Sequence, residues 1–335
     1  MNGKKLIPPG LVYLADNIIA KQNILGTAKK EGARWAKDLN LPPKAETVFF
    51  AGCGYQYSSQ LASLMSLLRM MDKSAVGAEL PMRLAALPRK LGADLAGLYG
   101  KVSAKGSDAD IQPLLAAVKV LSNLGVEFGY LAEDEPCCGA PLYYIGLHKD
   151  FAQNARKAYQ KLKSLGVKRV IGIVPSCTYA LRNLFPLFVD GYDLEVKHFS
   201  EVVLANISGR KLNFPRKVKV TYHDPCQLGR YLGIIDEPRQ ILSAINNIEL
   251  IEAEWTSGEW STCCGGGGGF EAVFPELSQI LATNRARELA ETGAQIIVTQ
   301  CPGCIMQLKS SLKELKADSI EILDLAQVVA MAMET

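Results

Sequence analysis

Two periods run through the apolar positions of this chain. Val48-Phe49-Phe50-Ala51-Gly52 is a short apolar run closed by glycine, the pattern of a buried strand. Similar runs predict strands at 169–174, 194–198, 217–222, 248–251 and 295–298, and the alternation Val126-Glu127-Phe128-Gly129-Tyr130-Leu131 predicts another. Between them the period lengthens to that of a helix. Ile111, Leu114, Leu115, Val118 and Leu121 mark a helix over 110–125, and further helices are expected at 149–165, 178–189, 236–245, 274–292 and 305–315. Leu61, Leu64, Leu67, Leu68 and Met71 make a stripe within 57–72. Residues 1–45 read as a basic, amphipathic helical arm ending near Leu41-Pro42-Pro43. Strands alternating with helices favour a parallel sheet covered on both faces.

The order of elements repeats. A strand leads to Cys53 and a second strand at 217–222 leads to Cys226. Cys137-Cys138-Gly139 and Cys263-Cys264-Gly265 follow, and each copy closes with a strand, a cysteine and a helix. Cys138 to Cys177 spans 39 positions and Cys264 to Cys304 spans 40. On this alignment Cys177 pairs with Cys304, and Val174 stands where the second copy has Cys301. Cys53 and Cys137 are 84 positions apart, Cys226 and Cys263 only 37. The first copy therefore carries an insertion of about 47 residues, placed at about 57–107. The expected organisation is an arm over 1–45, a first unit over 46–215 and a second over 216–335.

Composition limits what such a chain can do. Its 335 residues suffice for two ordinary domains. With 48% hydrophobic residues the core needs no disulfide staples. A net charge of +3 is too small to argue for nucleic acid. No signal peptide follows Met1-Asn2-Gly3-Lys4-Lys5 and no run suits a transmembrane helix, so a cytoplasmic location is expected, where thiols stay reduced.

All nine cysteines fall into the two sets: Cys53, Cys137, Cys138 and Cys177, then Cys226, Cys263, Cys264, Cys301 and Cys304. Loops at the strand C-termini of a parallel sheet share one edge, so three loops can bring their cysteines to one point. Pro136, Pro175, Pro225 and Pro302 stiffen those loops. Cys301 and Cys304 precede a helix, whose positive end favours thiolates. Thiolates hold iron–sulfur clusters and zinc. Zinc takes four ligands, whereas the second set offers five, two of them adjacent. A thiol–disulfide site at Cys301-x-x-Cys304, or purely structural cysteines, would leave the paired cysteines unexplained. The run Gly265 to Gly269 lacks the Lys-Ser/Thr of a phosphate-binding loop. His148, His198 and His223 read as core or surface hydrogen bonders, with His223 close enough to Cys226 to support a metal site from behind.

Glu133-Asp134-Glu135-Pro136-Cys137-Cys138-Gly139, Tyr222-His223-Asp224-Pro225-Cys226-Gln227-Leu228-Gly229-Arg230, Cys263-Cys264-Gly265-Gly266-Gly267 and Cys301-Pro302-Gly303-Cys304 carry a resemblance over most of 46–330. In these motifs the chain resembles the cysteine-rich CCG family. That family includes the catalytic cysteine-rich subunit of heterodisulfide reductase and iron–sulfur subunits of anaerobic glycerol-3-phosphate dehydrogenase and glycolate oxidase. The resemblance implies an α/β fold of two pseudo-repeated parallel-sheet CCG units, with an N-terminal helical arm and a helical insertion in the first unit. It implies a noncubane [4Fe-4S] cluster on Cys226, Cys263, Cys264, Cys301 and Cys304, with Cys263 and Cys264 as catalytic residues. Cys53, Cys137, Cys138 and Cys177 would hold a [4Fe-4S] cluster or none, since Val174 removes a ligand. Gln227 stands where many relatives have His. The activity implied is electron transfer through the second cluster to a disulfide; the alternatives are a relay between a flavin dehydrogenase and a quinone or carrier, and a zinc-bound interaction protein. With no cysteine before Cys53, electrons are expected from a separate ferredoxin-like iron–sulfur subunit or a flavoprotein. A hetero-oligomeric complex of this kind could bring the chain to a membrane surface.

Overall fold

The computed structural model describes residues 7–61, 63 and 111–334. Beyond its first residues, the expected insertion at about 57–107, with Leu64, Leu67, Leu68 and Met71, lies outside the described residues.

Helix α1 (Pro9–Lys21) opens the arm; Pro at its first turn costs no hydrogen bond. A short turn of helix at Lys29–Gly32 follows, so the arm is helical in pieces. The first unit comprises β1 (Thr47–Phe50), α2 (Gln112–Asn123), α3 (His148–Ser164), β2 (Arg169–Gly172), α4 (Pro175–Tyr179), β3 (Glu195–His198) and α5 (Phe199–Asn206). The second comprises β4 (Asn213–Tyr222), α6 (Asp236–Ser243), β5 (Asn246–Leu250), α7 (Pro275–Glu291), β6 (Ile296–Thr299), α8 (Pro302–Glu314), β7 (Glu321–Asp324) and α9 (Leu325–Met333). The sheets run β1-β2-β3 and β5-β4-β6-β7, and every pairing is parallel. Val48-Phe49-Phe50 of β1 and Ile296-Ile297-Val298 of β6 are buried throughout, as strands covered on both faces require.

The repeat governs the architecture. β1, β2 and β3 correspond to β4, β6 and β7. Both β3 and β7 end in a capping box, His198 with Glu201 and Asp324 with Gln327. The counterpart of β5 is 126–131, and here the expectation of a strand is corrected. Only Gly129 bridges β1, through Phe49 N to Gly129 O at 2.8 Å and Gly129 N to Thr47 O at 2.9 Å. The end of the arm takes over from there, because Tyr130 N donates to Pro42 O at 2.9 Å. The expected helix at 178–189 is also broken. It passes from α4 into a π-helical turn at Ala180–Leu184 and a 3-10 turn at Phe185–Leu187, where Pro186 offers no N–H.

One hydrophobic core joins the units, running from Val48, Phe49 and Val170 to Val220, Val298, Leu325 and Val329. The helix that closes each unit crosses to the other: α5 packs on α6, and α9 packs on α2 as well as on β4 of its own unit. Each fully buried Leu or Val there stabilises the pairing by about 2 kcal/mol. Among the described residues no helix is long and apolar enough to cross a membrane.

Candidate metal centres

Every cysteine lies just beyond the C-terminal end of a strand or in the Cys-Cys-Gly turn. Cys53 sits in the helical turn Gly52–Gln56 that follows β1, Cys177 in α4 after β2, and Cys226 before the π-helical turn Gln227–Tyr231 after β4. Cys301 is the N-cap of α8 and Cys304 lies in its first turn. Val174 is the N-cap of α4, the same station as Cys301.

In the first unit all four cysteines line one recess, together with Gln22, Lys29, Gln56, Glu135 and Pro136. Their sulfurs form a chain of contacts in the order Cys53, Cys137, Cys138, Cys177, the last step being 3.1 Å. The second unit repeats the chain and lengthens it: Cys226, Cys263, Cys264, Cys304, Cys301. Among the nine cysteines only Cys263 is exposed; Cys137, Cys138, Cys177, Cys264 and Cys304 are buried.

The electrostatics repeat as well. Cys137 is held well below the ordinary thiol range, because the Cys138 and Cys53 thiols and the Gly139 N–H donate to its sulfur. Cys263 is pushed down to about 2 by donation from Cys226, Cys264 and the Gly265 N–H, the last at 3.3 Å. The donating neighbours Cys53, Cys138, Cys226, Cys264 and Cys304 are pushed up in turn. The first cysteine of each pair is also the one that accepts a backbone N–H, from Gly139 at 3.5 Å and from Gly265 at 3.3 Å. Cys301 is also lowered, by Cys304 first and then by the Gly303 and Cys304 backbone N–H groups at the start of α8.

Close approach makes two glycines necessary. Gly52 has φ +64°, and a β-carbon there would lie 2.9 Å from Cys177 Sγ. Gly265 has φ +79°, and its β-carbon would lie 2.2 Å from Ser278 O.

Behind the sulfurs lie residues that the sequence reading did not assign. Glu135 accepts from Ala51 N at 2.8 Å and Gly52 N at 3.0 Å, so it pins the Cys53 loop; burial pushes its carboxyl up to about 7. Lys29 donates to the Glu135 carbonyl, and burial lowers it. In the second unit Arg285 is buried and donates from Nε to His223 Nδ1 at 3.1 Å. A ring nitrogen of His223 and the Cys264 and Cys304 sulfurs all lie within 4.8 Å of one another. Arg285 carried a signal in the sequence: it is a charged residue among Ala282, Ala286 and Leu289, the buried face of α7. His198 is a structural residue, its Nε2 3.2 Å from Ile173 O in the loop ahead of Cys177 and its Nδ1 accepting from Ser200 N. His148 stacks on Tyr143.

The donor set fits an iron–sulfur cluster. Each site gathers soft thiol ligands in a wall of backbone and glycine, and the second has a buried ring nitrogen, His223 Nε2, with no protein partner.

The same residues carry the likeness to known proteins. The family model for the cysteine-rich CCG domain matches residues 104–182 and 220–309, about half of the chain and eight of its nine cysteines. One component of the dihydromethanophenazine:CoB–CoM heterodisulfide reductase from Methanosarcina mazei is 35% identical over 224 residues, 65% of this chain and 54% of that protein. The EtfAB:quinone oxidoreductase of Syntrophomonas wolfei is 34% identical over 65% of this chain and 32% of its own length. One component of the fumarate reductase (CoM/CoB) of Methanothermobacter marburgensis is 29% identical over 65% of this chain and 42% of its own. The chain thus spans about half, or less, of the length of these relatives. The match in both units, on the loops that hold the two sulfur arrays, makes this chain a member of the cysteine-rich CCG family.

Proposed function

We propose that this chain is the iron–sulfur component of an oxidoreductase and delivers electrons to a disulfide. The observation that carries the reading is the unbroken run of five sulfurs from Cys226 to Cys301, gathered from three loops at one sheet edge. Five thiolates exceed what a tetrahedral zinc site uses. They suit a noncubane [4Fe-4S] cluster on Cys226, Cys263, Cys264, Cys301 and Cys304. A four-thiolate [4Fe-4S] cluster suits Cys53, Cys137, Cys138 and Cys177.

A bound cluster supplies one-electron redox steps and an affinity for sulfur. The chain's own residues do the rest. Burial of Cys264 and Cys304 keeps water from the inner sulfurs. The Gly265 N–H holds negative charge on Cys263. Cys263, the exposed member, gives a substrate sulfur its approach. Two electrons and two protons then convert the disulfide R–S–S–R′ into two thiols.

Similarity to a component of a heterodisulfide reductase supports this reading. Similarity to an EtfAB:quinone oxidoreductase supports a second, in which the chain relays electrons between a flavoprotein and a quinone without a substrate of its own. Both readings call for a partner protein carrying a flavin or a ferredoxin-like cluster. Anaerobic turnover with reduced viologen separates them. The first predicts consumption of a low-molecular-weight disulfide with two viologen radicals oxidised per disulfide. Reoxidation by a quinone alone, with every disulfide inert, would favour the relay.

A further inference from the structure

Arg285 heads the largest fully buried side chains of the described residues, with 1% exposure. A guanidinium has only donors, and this one uses all of its nitrogens. Nε meets His223 Nδ1 at 3.1 Å, Nη1 meets Thr256 Oγ1 at 2.8 Å and Glu288 Oε2 at 3.0 Å, and Nη2 meets Ser261 Oγ at 3.3 Å. The partner Glu288 is tied down by Thr262 Oγ1 at 2.8 Å. The guanidinium is therefore held from several sides.

This arrangement fixes the proton on His223. An N–H can be aimed at Nδ1 only if Nδ1 presents its lone pair, so the ring is neutral and its proton is on Nε2. Nε2 is buried and has no hydrogen-bond partner among the protein atoms. Nδ1 being taken by Arg285, Nε2 is the nitrogen left for the group formed with the Cys264 and Cys304 sulfurs. By position alone, His223 would pass for a third metal ligand beside them. Ligation through Nε2 would require the proton on Nδ1, against the Arg285 N–H.

We propose that Arg285 locks His223 as an Nε2–H donor to the sulfur-bound centre at Cys264 and Cys304, making the pair a positioning device that sets the charge of that centre without ligating it. Hydrogen bonds to cluster sulfurs favour the more negative, reduced state and so raise the reduction potential. Among the described residues the first unit has no such pair: its two histidines are engaged elsewhere, His148 stacked on Tyr143 and His198 held by Ile173 O and Ser200 N. The pair thereby raises the second centre's potential above the value it would have without them. The proposal rests on the iron–sulfur reading of the second site, but its first test does not.

That test uses the full chain, labelled with ¹⁵N-histidine and stripped of metal. Long-range proton–nitrogen NMR is expected to find His223 protonated on Nε2 and bare on Nδ1 at neutral pH; the opposite tautomer overturns the proposal. In the anaerobic, iron-loaded chain, pulsed electron paramagnetic resonance is expected to give a weak ¹⁵N coupling and a proton that exchanges in D₂O. A strong, directly bonded ¹⁵N coupling would make His223 a ligand and overturn it too. Substitution adds a third readout. His223→Leu should move the second centre's midpoint potential to more negative values, and His223→Gln, which keeps an N–H, should restore part of the shift. Arg285→Lys, still a donor only, should keep the tautomer. Equal potentials in wild type, His223→Leu and His223→Gln would overturn the proposal. A second site that binds zinc, or no iron, would instead sink the iron–sulfur reading and leave the NMR result to decide the tautomer.

Discussion

Val174 and Cys301 cap equivalent helices after equivalent strands, yet one is a buried methyl pair and the other a sulfur. If the number of sulfurs decides the kind of cluster, Val174→Cys should change the first site alone. Losing a methyl group costs about 1 kcal/mol, so the fold should survive. The expected result is a second signal resembling that of the five-sulfur site; an unchanged spectrum would contradict the count. Gly52→Ala probes the same recess from the backbone. A β-carbon at φ +64° costs about 1–2 kcal/mol, before the 2.9 Å approach to Cys177 Sγ. A melting temperature lowered by about 2–6 °C and depleted first-site iron are expected. The cysteines were legible because sulfur is rare and its spacing repeats. Glu135 and Lys29 were not, because a buried or half-buried charge betrays itself in sequence only when it interrupts an apolar face; Arg285 does interrupt one, in α7, and could have been found there.

Elements were legible where period and turn chemistry agreed. β1 to β6 fell on the apolar runs. The alternation at 126–131 misled, since the end of the arm took Tyr130 N from the ladder. β7 and α9 were not read, although the repeat placed them: β3 and its capping box have β7 and Asp324 as their image. Asp324 joins element to element. Oδ1 caps α9 by accepting from Ala326 N at 2.8 Å, and Oδ2 accepts from Tyr55 OH of the first unit. Asp324→Ala should therefore cost about 2–4 kcal/mol, a lost cap plus an orphaned buried hydroxyl, measured by urea unfolding of the metal-free chain. Burial raises the Asp324 carboxyl to about 7. A raised carboxyl means that the folded state binds the extra proton, so this contribution is full below the ordinary aspartate range and is lost as pH rises through 7. Against Asp324→Asn, which does not titrate, the wild type should lose stability between about pH 4 and pH 7, by an amount on the order of 2–4 kcal/mol. Parallel stability curves for the two would contradict this.

Among the described residues, two units of one design are set against each other so that their sulfur arrays are neighbours. A β-carbon on Gly54, next to Cys53, would lie 2.6 Å from Pro302, next to Cys301. Tyr144 OH donates to Gln227 Oε1 at 2.8 Å and ties the turn after Cys138 to the residue after Cys226. Duplication explains why so much of the site could be read from one sequence: each copy served as the other's alignment. Iron and acid-labile sulfide per chain, measured anaerobically in wild type and Cys264→Ser, with electron paramagnetic resonance after oxidation by a disulfide, test the central claim most directly. The account predicts about four iron and four sulfide for each filled site in wild type, and loss of the second site's share and signal in Cys264→Ser with a retained melting transition. Zinc in place of iron, or an iron content and spectrum unmoved by the substitution, would contradict it.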